Sequence, residues 1–512
     1  MAGFTVKGKQ GSRQLLPWIA GGLLLAVVVT NSWVSDDAFI TLRSVQRLLD
    51  AGRLEWNPGE RVQVFTHPLW AAALAPALWL TKSGWWAAWG LGVAGTGALT
   101  VLLARTGASG AILALAGLAL SRSVVDFSTS GLENPLVHLL VAGLVLSRRD
   151  GVGAGWLAGL ALLTRLDAAP LVLPLLVARV ARLSWRARAR ELGITFSLPG
   201  LWMLGSLVWF GALLPNPALA KLGGGVPKAE VLSQGVHWLG ATAAWDPAGA
   251  ALIVLGLLVA VRTPGRRAVA VGILLHLGWV VWAGGDFMLG RFATPTIVAA
   301  AALLAGTRPS PRALMAGTCG LLALALTGPG PTLAHPPSRS TPDPEDLIDR
   351  RGVADERRYY TPGSALLDGR SDGPRPQHRF RRRARGGAAD PPRVLTGVGM
   401  TGFFASERPL VDRTGVTEPF LARLPARPGA RRPGHLYRDI PFGYVEWYAD
   451  VECPVACRDG RTLCEDVKLA SRGAIFAPGR AGAVSRLLVG DLAQILGAAR
   501  PSFMPTEGPC AP

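Results

Sequence analysis

A long series of apolar runs, broken by short loops that hold clustered arginines, constrains this chain more than any other feature. The first run, Leu15 to Val34, follows Lys7, Lys9 and Arg13 and is long enough to cross a hydrocarbon layer of about 30 Å at 1.5 Å per residue. It exceeds a usual signal-peptide core, no small-residue cleavage site follows it, and further runs come after it, so it reads as an uncleaved first span. Further runs lie at about 68–81, 86–104, 109–121, 132–147, 151–164, 168–181, 194–214, 247–261, 268–284, 292–306 and 312–326. Several are short for a full crossing. Half of the 512 residues are hydrophobic, with 63 Gly and 17 Trp, which is membrane composition rather than soluble composition.

Net charge is +19, and its distribution orients the chain. Lys82, Arg148 and Arg149, the block Arg182, Arg186, Arg188 and Arg190, then Arg262, Arg266 and Arg267, and finally Arg308 and Arg312 should all be cytoplasmic. They alternate correctly for the later spans if Asp36 and the C-terminal third lie outside. Parity fails only around 105–130, where one segment must be re-entrant or split. The expectation is a polytopic α-helical membrane protein with about eleven transmembrane helices, multi-pass in a bacterial cytoplasmic membrane. Residues 1–329 form the transmembrane module, with a first outer loop at 35–67.

After Leu326 the texture changes to Pro, Gly, Arg and Asp, with no further apolar run long enough to span. Residues 330–512 therefore read as an extracytoplasmic C-terminal α/β domain, with a strand-like run at Arg393–Val398 and a helix-like stretch at Ala483–Ala498. Cys453, Cys457, Cys464 and Cys510 fall in this part and fit one or two disulfides in an oxidising space, with three ways of pairing all four. The arginine run Arg379, Arg381, Arg382, Arg383 and Arg385 reads either as a solvated loop or as a patch for anionic lipid or a phosphorylated wall polymer. Nucleic acid is excluded as its partner by the exported placement.

Candidate chemistry sits just after the first span, in Ser35-Asp36-Asp37-Ala38-Phe39-Ile40-Thr41-Leu42-Arg43. Ser35 or Asp36 can cap a helix whose apolar side includes Ala38, Leu42, Val45 and Leu49. A carboxylate at such a helix start faces free N–H groups and should stay ionised, available as a base or a cation ligand. Two ordinary capping acids would give the same local pattern. Downstream, Trp56-Asn57-Pro58-Gly59-Glu60-Arg61-Val62 is a polar turn, and Phe65-Thr66-His67-Pro68-Leu69-Trp70 leads into the second span.

Read in order, these segments resemble the first outer loop of the polytopic, lipid-phosphate-sugar-dependent glycosyltransferases of the GT-C fold. Thr129-Ser130-Gly131-Leu132-Glu133, Leu214 to Lys221, Gly284 to Arg291, Gly352 to Tyr360, Val411 to Val416 and Gly434-His435 extend the likeness. Together they are similar to the motifs of the mycobacterial terminal β-(1→2)-arabinofuranosyltransferase family. Single motifs are weak here, and the ordered series carries the resemblance. It implies a polyprenyl-phosphate arabinose donor, a cell-envelope glycan or lipid-linked acceptor, and an outward-facing active site. If donor and product are both β, net retention follows. Asn216-Pro217 stands where Ser-Thr is expected, Asp167 stands for an expected Glu after Arg165, and the C-terminal region is shorter and richer in arginine. Fold and lipid-phosphate donor are thus better supported than sugar or acceptor.

The residues themselves agree with that chemistry. Ionisable groups bordering apolar runs should pair or face a wet cavity, since a charge at mid-membrane costs roughly 2.5–3.5 kcal/mol on insertion scales. Arg165, Lys221, Arg291 and Arg43 are candidates for a lipid phosphate, Arg as a bidentate fork and Lys as a point charge. Interfacial snorkelling competes with that reading for Lys221 and Arg291. Asn57, Glu60, Thr66, His67, Glu133, Asp167, Asn216 and Asp286 are candidates for touching substrate, Asp286 alternatively pairing with Arg291. Asp36 is expected to be the principal carboxylate, with Asp37 holding the sugar or a divalent cation. The histidines suggest no metal cluster, and no nucleotide-binding glycine motif follows a strand. A flippase for a lipid-linked glycan, or a non-catalytic envelope or flagellar-motor assembly factor on the same fold, would share the bundle. The first is disfavoured by the lack of an evident inverted repeat, the second by the retained Asp pair.

Overall fold

The computed structural model describes residues 8–147, 153–329, 347–367, 375–387, 389–427, 429, 433–441, 443–445, 448 and 458–495. Helices dominate. The first part holds α1 (Gly8–Thr30), α2 (Asp36–Ala51), α3 (Pro68–Thr81), α4 (Gly84–Ala104), α5 (Gly110–Leu120), α6 (Arg122–Phe127), α7 (Asn134–Leu146), α8 (Ala154–Thr164) and α9 (Ala169–Val180). There follow α10 (Trp185–Phe210), α11 (Asn216–Leu222), α12 (Lys228–Trp245), α13 (Pro247–Arg262), α14 (Arg267–Trp282), α15 (Thr294–Ala305) and α16 (Pro311–Thr327). The C-terminal part adds α17 (Glu356–Ser364), α18 (Arg379–Arg382), α19 (Gly399–Phe404), α20 (Arg458–Ser471) and α21 (Arg480–Ile495). Among the described residues the sheet is a single parallel pair, β1 (Arg393–Leu395) and β2 (Leu410–Asp412), with Val394 opposite Val411.

Each apolar run read from sequence becomes one helix. The region around 105–130, where charge parity fails, holds the short α5, then Ser121 in extended conformation capping α6 through its hydroxyl. α12 carries no apolar run in the sequence because Lys228, Glu230 and Gln234 dilute its hydropathy. By length and composition α4 and α10 can each cross a membrane alone, and α12 with α13, bent by 103°, forms a third candidate span. The remaining apolar helical segments, among them Leu15–Thr30 of α1, have 10–17 residues, shorter than the ~20 residues of an upright crossing.

Burial identifies a membrane protein by its inverted outer face. α15 is buried along its whole length at the centre of the bundle. α10, by contrast, exposes Trp185, Leu201, Leu204 and Val208, and α1 exposes Leu15, Ile19 and Leu23. Apolar faces this extensive are unfavourable in water and match a hydrocarbon solvent.

The C-terminal region does not stand apart from the first loop. Val398, Met400, Phe403, Leu410 and Tyr360 share one hydrophobic cluster with Trp33, Phe39, Trp56, Trp85 and Phe127. A second cluster joins Val411, Phe420 and Leu424 to Tyr444, Val467 and Leu487. Cys464 is disulfide-bonded, while Cys453, Cys457 and Cys510 lie outside the described residues.

Candidate active site

α2 begins as the capping rule requires, with one change of role. Ser35, not Asp36, caps it, its hydroxyl accepting from Ala38 N. The expected inner face holds for Ala38, Leu42 and Val45, while Leu49 is 39% exposed. Relieved of capping its own helix, the Asp36 carboxylate turns to the N-terminus of α19, where Oδ2 accepts from Gly399 N (3.0 Å) and Oδ1 from Met400 N (2.7 Å). A Cβ at Gly399 would lie 1.8 Å from the Asp36 carbonyl oxygen, so only glycine permits this approach.

Asp36 is therefore not the readily ionised acid expected of a helix start. Burial pushes its pKa up to about 7, assisted by neighbouring Asp37, against the two backbone N–H groups that favour the ionised form. A carboxylate at a helix start stays ionised when solvent reaches it, whereas Asp36 is only 3% accessible.

Asp36 and Asp37 line a cavity of about 370 Å³ between the bundle and the C-terminal region. Thr66, His67, Lys221 and Arg291 line it too. His67 Nε2 lies 2.8 Å from Thr41 Oγ1, and burial pushes its pKa down to about 4, so the imidazole is neutral at pH 7. Lys221 approaches the face of Phe287, with its ammonium 5.9 Å from the ring centre. Among the described residues no carboxylate forms an ion pair with it. Room for the side chain comes from Gly434, at φ +72°, where a Cβ would stand 2.9 Å from Lys221 Cε.

Arg291 connects this wall to a buried ionic network. Its guanidinium lies 3.2 Å from Glu133 and 3.4 Å from Asp286. Glu133 also pairs with Arg165 and stands 3.0 Å from His67 Nδ1, and Arg165 Nε donates to Asp167 at 2.7 Å. Glu133, Arg165, Asp167 and Asp286 thus meet one another behind the wall rather than on it. Their arrangement follows from the cost of isolated charge in an apolar bundle: each cation is matched by at least one carboxylate.

Four other sequence candidates are placed elsewhere. Arg43 is fully buried and donates to the carbonyl oxygens of Trp56 (3.0 Å), Ser406 (3.2 Å) and Arg408 (2.9 Å), fastening the C-terminal region to the first loop. Asn57 joins the same seam through Leu410, accepting from its N–H at 3.0 Å and donating to its carbonyl at 2.9 Å. Glu60 is engaged by Arg472 and Tyr448. Asn216 donates to the carbonyls of Gly415 and Val416. None of these four lines the cavity. They hold the two parts of the chain together, a use that polar loop residues do not distinguish in sequence from substrate contact.

Other residues of the wall come from the ordered motifs. Tyr359 and Tyr360 belong to the Gly352–Tyr360 motif, Asp412 and Thr414 to Val411–Val416, and His435 to Gly434-His435, so their signal was present in the ordered series. Arg379 and Arg383 come from the arginine run and line the cavity, while Arg382, Arg383 and Arg385 are exposed to solvent. Among the described residues, no group of three or more His, Cys, Asp and Glu is arranged to hold a metal ion.

No family model matches the chain, and no solved structure matches it. Two curated proteins are similar to it in sequence. The terminal β-(1→2)-arabinofuranosyltransferase of Mycobacterium tuberculosis is 29% identical over a 405-residue alignment covering 64% of this chain and 62% of the relative. The protein of the same name from Corynebacterium glutamicum is 30% identical over 322 residues, covering 51% of this chain and 46% of the relative. The chain thus spans less than two thirds of either relative's length, and it is close in sequence to the terminal β-(1→2)-arabinofuranosyltransferase family.

Proposed function

We propose that this chain is a multi-pass membrane glycosyltransferase that moves a sugar, arabinofuranose by preference, from a polyprenyl-phosphate donor to a cell-envelope glycan on the outer face of the cytoplasmic membrane. The observation that carries the proposal is one cavity holding a carboxylate pair, Asp36 and Asp37, together with the cations Lys221 and Arg291. The names of the two relatives favour transfer over transport of a lipid-linked glycan.

In this reading Asp36 takes the proton from the acceptor hydroxyl. A base poised near the working pH combines an available ionised form with a useful affinity for the proton. Its two backbone hydrogen bonds fix the carboxylate plane and leave lone pairs for the hydroxyl. Over the reaction the bond from the anomeric carbon to the donor phosphate oxygen is replaced by one from that carbon to the acceptor oxygen, on the same face of the ring when donor and product are both β. The leaving phosphate keeps the electron pair, and Lys221 and Arg291 stabilise its charge. Asp37 holds hydroxyls of the transferred sugar. Arg165, Asp167, Asp286 and Glu133 set the position of Arg291 and His67 without touching substrate themselves.

A donor screen tests this. Purified protein supplied with an envelope-type oligosaccharide and radiolabelled polyprenyl-phosphate arabinose, mannose or glucose is expected to incorporate label from the arabinose donor at least tenfold faster than from the hexose donors. Incorporation from none of the three would remove the transferase reading; a hexose preference would keep the reaction and replace the sugar.

A further inference from the structure

The cavity has a second wall that the donor chemistry does not use. Tyr359 and Phe380 line it, on α17 and α18, with Arg379 and Arg383 beside them. Arg379 lies over both rings, 5.2 Å from the centre of Tyr359 and 5.6 Å from that of Phe380, and it donates to the Tyr359 hydroxyl. Arg383 lies 5.5 Å from the Phe380 ring centre. The platform is fastened from behind, since Tyr360 stacks on Trp33 at 6.1 Å and Thr401 Oγ1 donates to the Phe380 carbonyl at 3.0 Å.

Gly397 sets the distance between this wall and the acid pair. A Cβ built there would lie 3.2 Å from Phe380 Cε2 and 3.8 Å from Asp36 Oδ2. The aromatic edge and the carboxylate are thus separated by little more than one glycine, a gap that a bound sugar ring standing on the aromatics can bridge with a hydroxyl.

Taking the transferase reading as given, we infer that Tyr359 and Phe380, flanked by Arg379 and Arg383, form the platform that receives the terminal sugar ring of the glycan acceptor. Flat aromatic faces pack against the C–H faces of a sugar, and guanidinium forks donate to its hydroxyls. Arg379 is engaged with the Tyr359 hydroxyl, and the cavity-lining Asp355 is paired with Arg122 at 2.6 Å, so the fixed charges on this side are held by the protein itself. The donor phosphate already has Lys221 and Arg291, which come from other elements of the chain. The ligand of this wall is therefore the acceptor glycan, presented with its hydroxyl toward Asp36.

The test uses full-length purified protein and a synthetic neutral arabinofuranose oligosaccharide. Phe380→Leu keeps apolar volume and removes the aromatic face, and Arg379→Gln removes the fork. If Phe380→Leu fails to give folded protein, Arg379→Gln carries the test. In steady-state transfer each is expected to raise KM for the oligosaccharide about tenfold, with KM for the lipid donor changed less than twofold. Direct titration of the oligosaccharide without donor is expected to show the same tenfold weakening, a readout that stands even if wild-type protein transfers nothing. An unchanged oligosaccharide affinity in both folded variants overturns the assignment. A rise confined to donor KM also overturns it, because the wall would then hold the lipid phosphate. Loss of transfer by wild type, with oligosaccharide binding intact and weakened by the variants, defeats the transferase reading while leaving the platform in place.

Discussion

Replacing Asp36 with asparagine is expected to lower kcat/KM for transfer by about 100-fold or more, the range that general base catalysis supplies. Asparagine retains the size of the side chain and one accepting oxygen, but its amide group meets one of the two N–H donors of α19 head-on. Two effects are therefore superimposed, loss of the base and disturbance of the docked helix, and pH separates them. With the carboxyl pushed up to about 7, wild-type kcat/KM should rise close to tenfold per pH unit below that value and level off above it. The Asp36→Asn profile should lose this limb. Stability should move the opposite way. Between the ordinary carboxylate pKa near 4 and the folded value near 7, the folded chain keeps a proton that the unfolded chain has released, so wild-type stability falls as pH rises through that window. Thermal unfolding from pH 4.5 to 8 should show this fall in wild type and a shallower one in the variant. A variant whose pH–rate profile matches wild type would show that Asp36 is not the titrating base.

Lys221→Ala should reduce kcat/KM for the donor by roughly 10- to 100-fold, since a hydrogen bond to a charged group contributes about 1.5–3 kcal/mol. The loss should be specific. Lys221 forms no ion pair with a described carboxylate, so removing it strands no partner charge, and the melting temperature should change little. Lys221→Arg keeps the charge on a longer planar group beside Phe287 and should recover part of the donor affinity. Arg291 behaves differently because Glu133 and Asp286 depend on it, so Arg291→Ala should lose stability along with activity.

What could be read from the sequence follows from which forces are local. Apolar runs become helices because a bilayer leaves the backbone no other partner, so 68–81 maps onto Pro68–Thr81 and 109–121 onto Gly110–Leu120. Arg393–Val398 likewise contains β1, and Ala483–Ala498 overlaps α21. The acid pair was legible as a helix start, and Lys221 as a cation at the end of an apolar run. Tertiary placement was not. Arg43 carries the same sequence signal as Arg291, yet one fastens a seam between distant segments and the other faces the cavity. Asp36 shows the limit most clearly: its own helix predicts an ionised carboxylate, whereas Gly399 and Met400, more than 360 residues away, decide its burial and its partners. For the arginine run, composition leaves a solvated loop and an anion-binding patch both open and cannot anticipate Arg379 lying on Tyr359 and Phe380.

The most direct measurement is where the donor sits. A polyprenyl-phosphate sugar carrying a diazirine in its first isoprene unit can be photo-crosslinked to the protein in membranes, and the labelled peptides sequenced. Labelling should concentrate on the cavity rim around Lys221, Val416 and Phe287, and excess unmodified donor should suppress it. Labelling spread over the exposed apolar face of α10, insensitive to competing donor, would contradict the assignment of this cavity to lipid-phosphate sugar transfer.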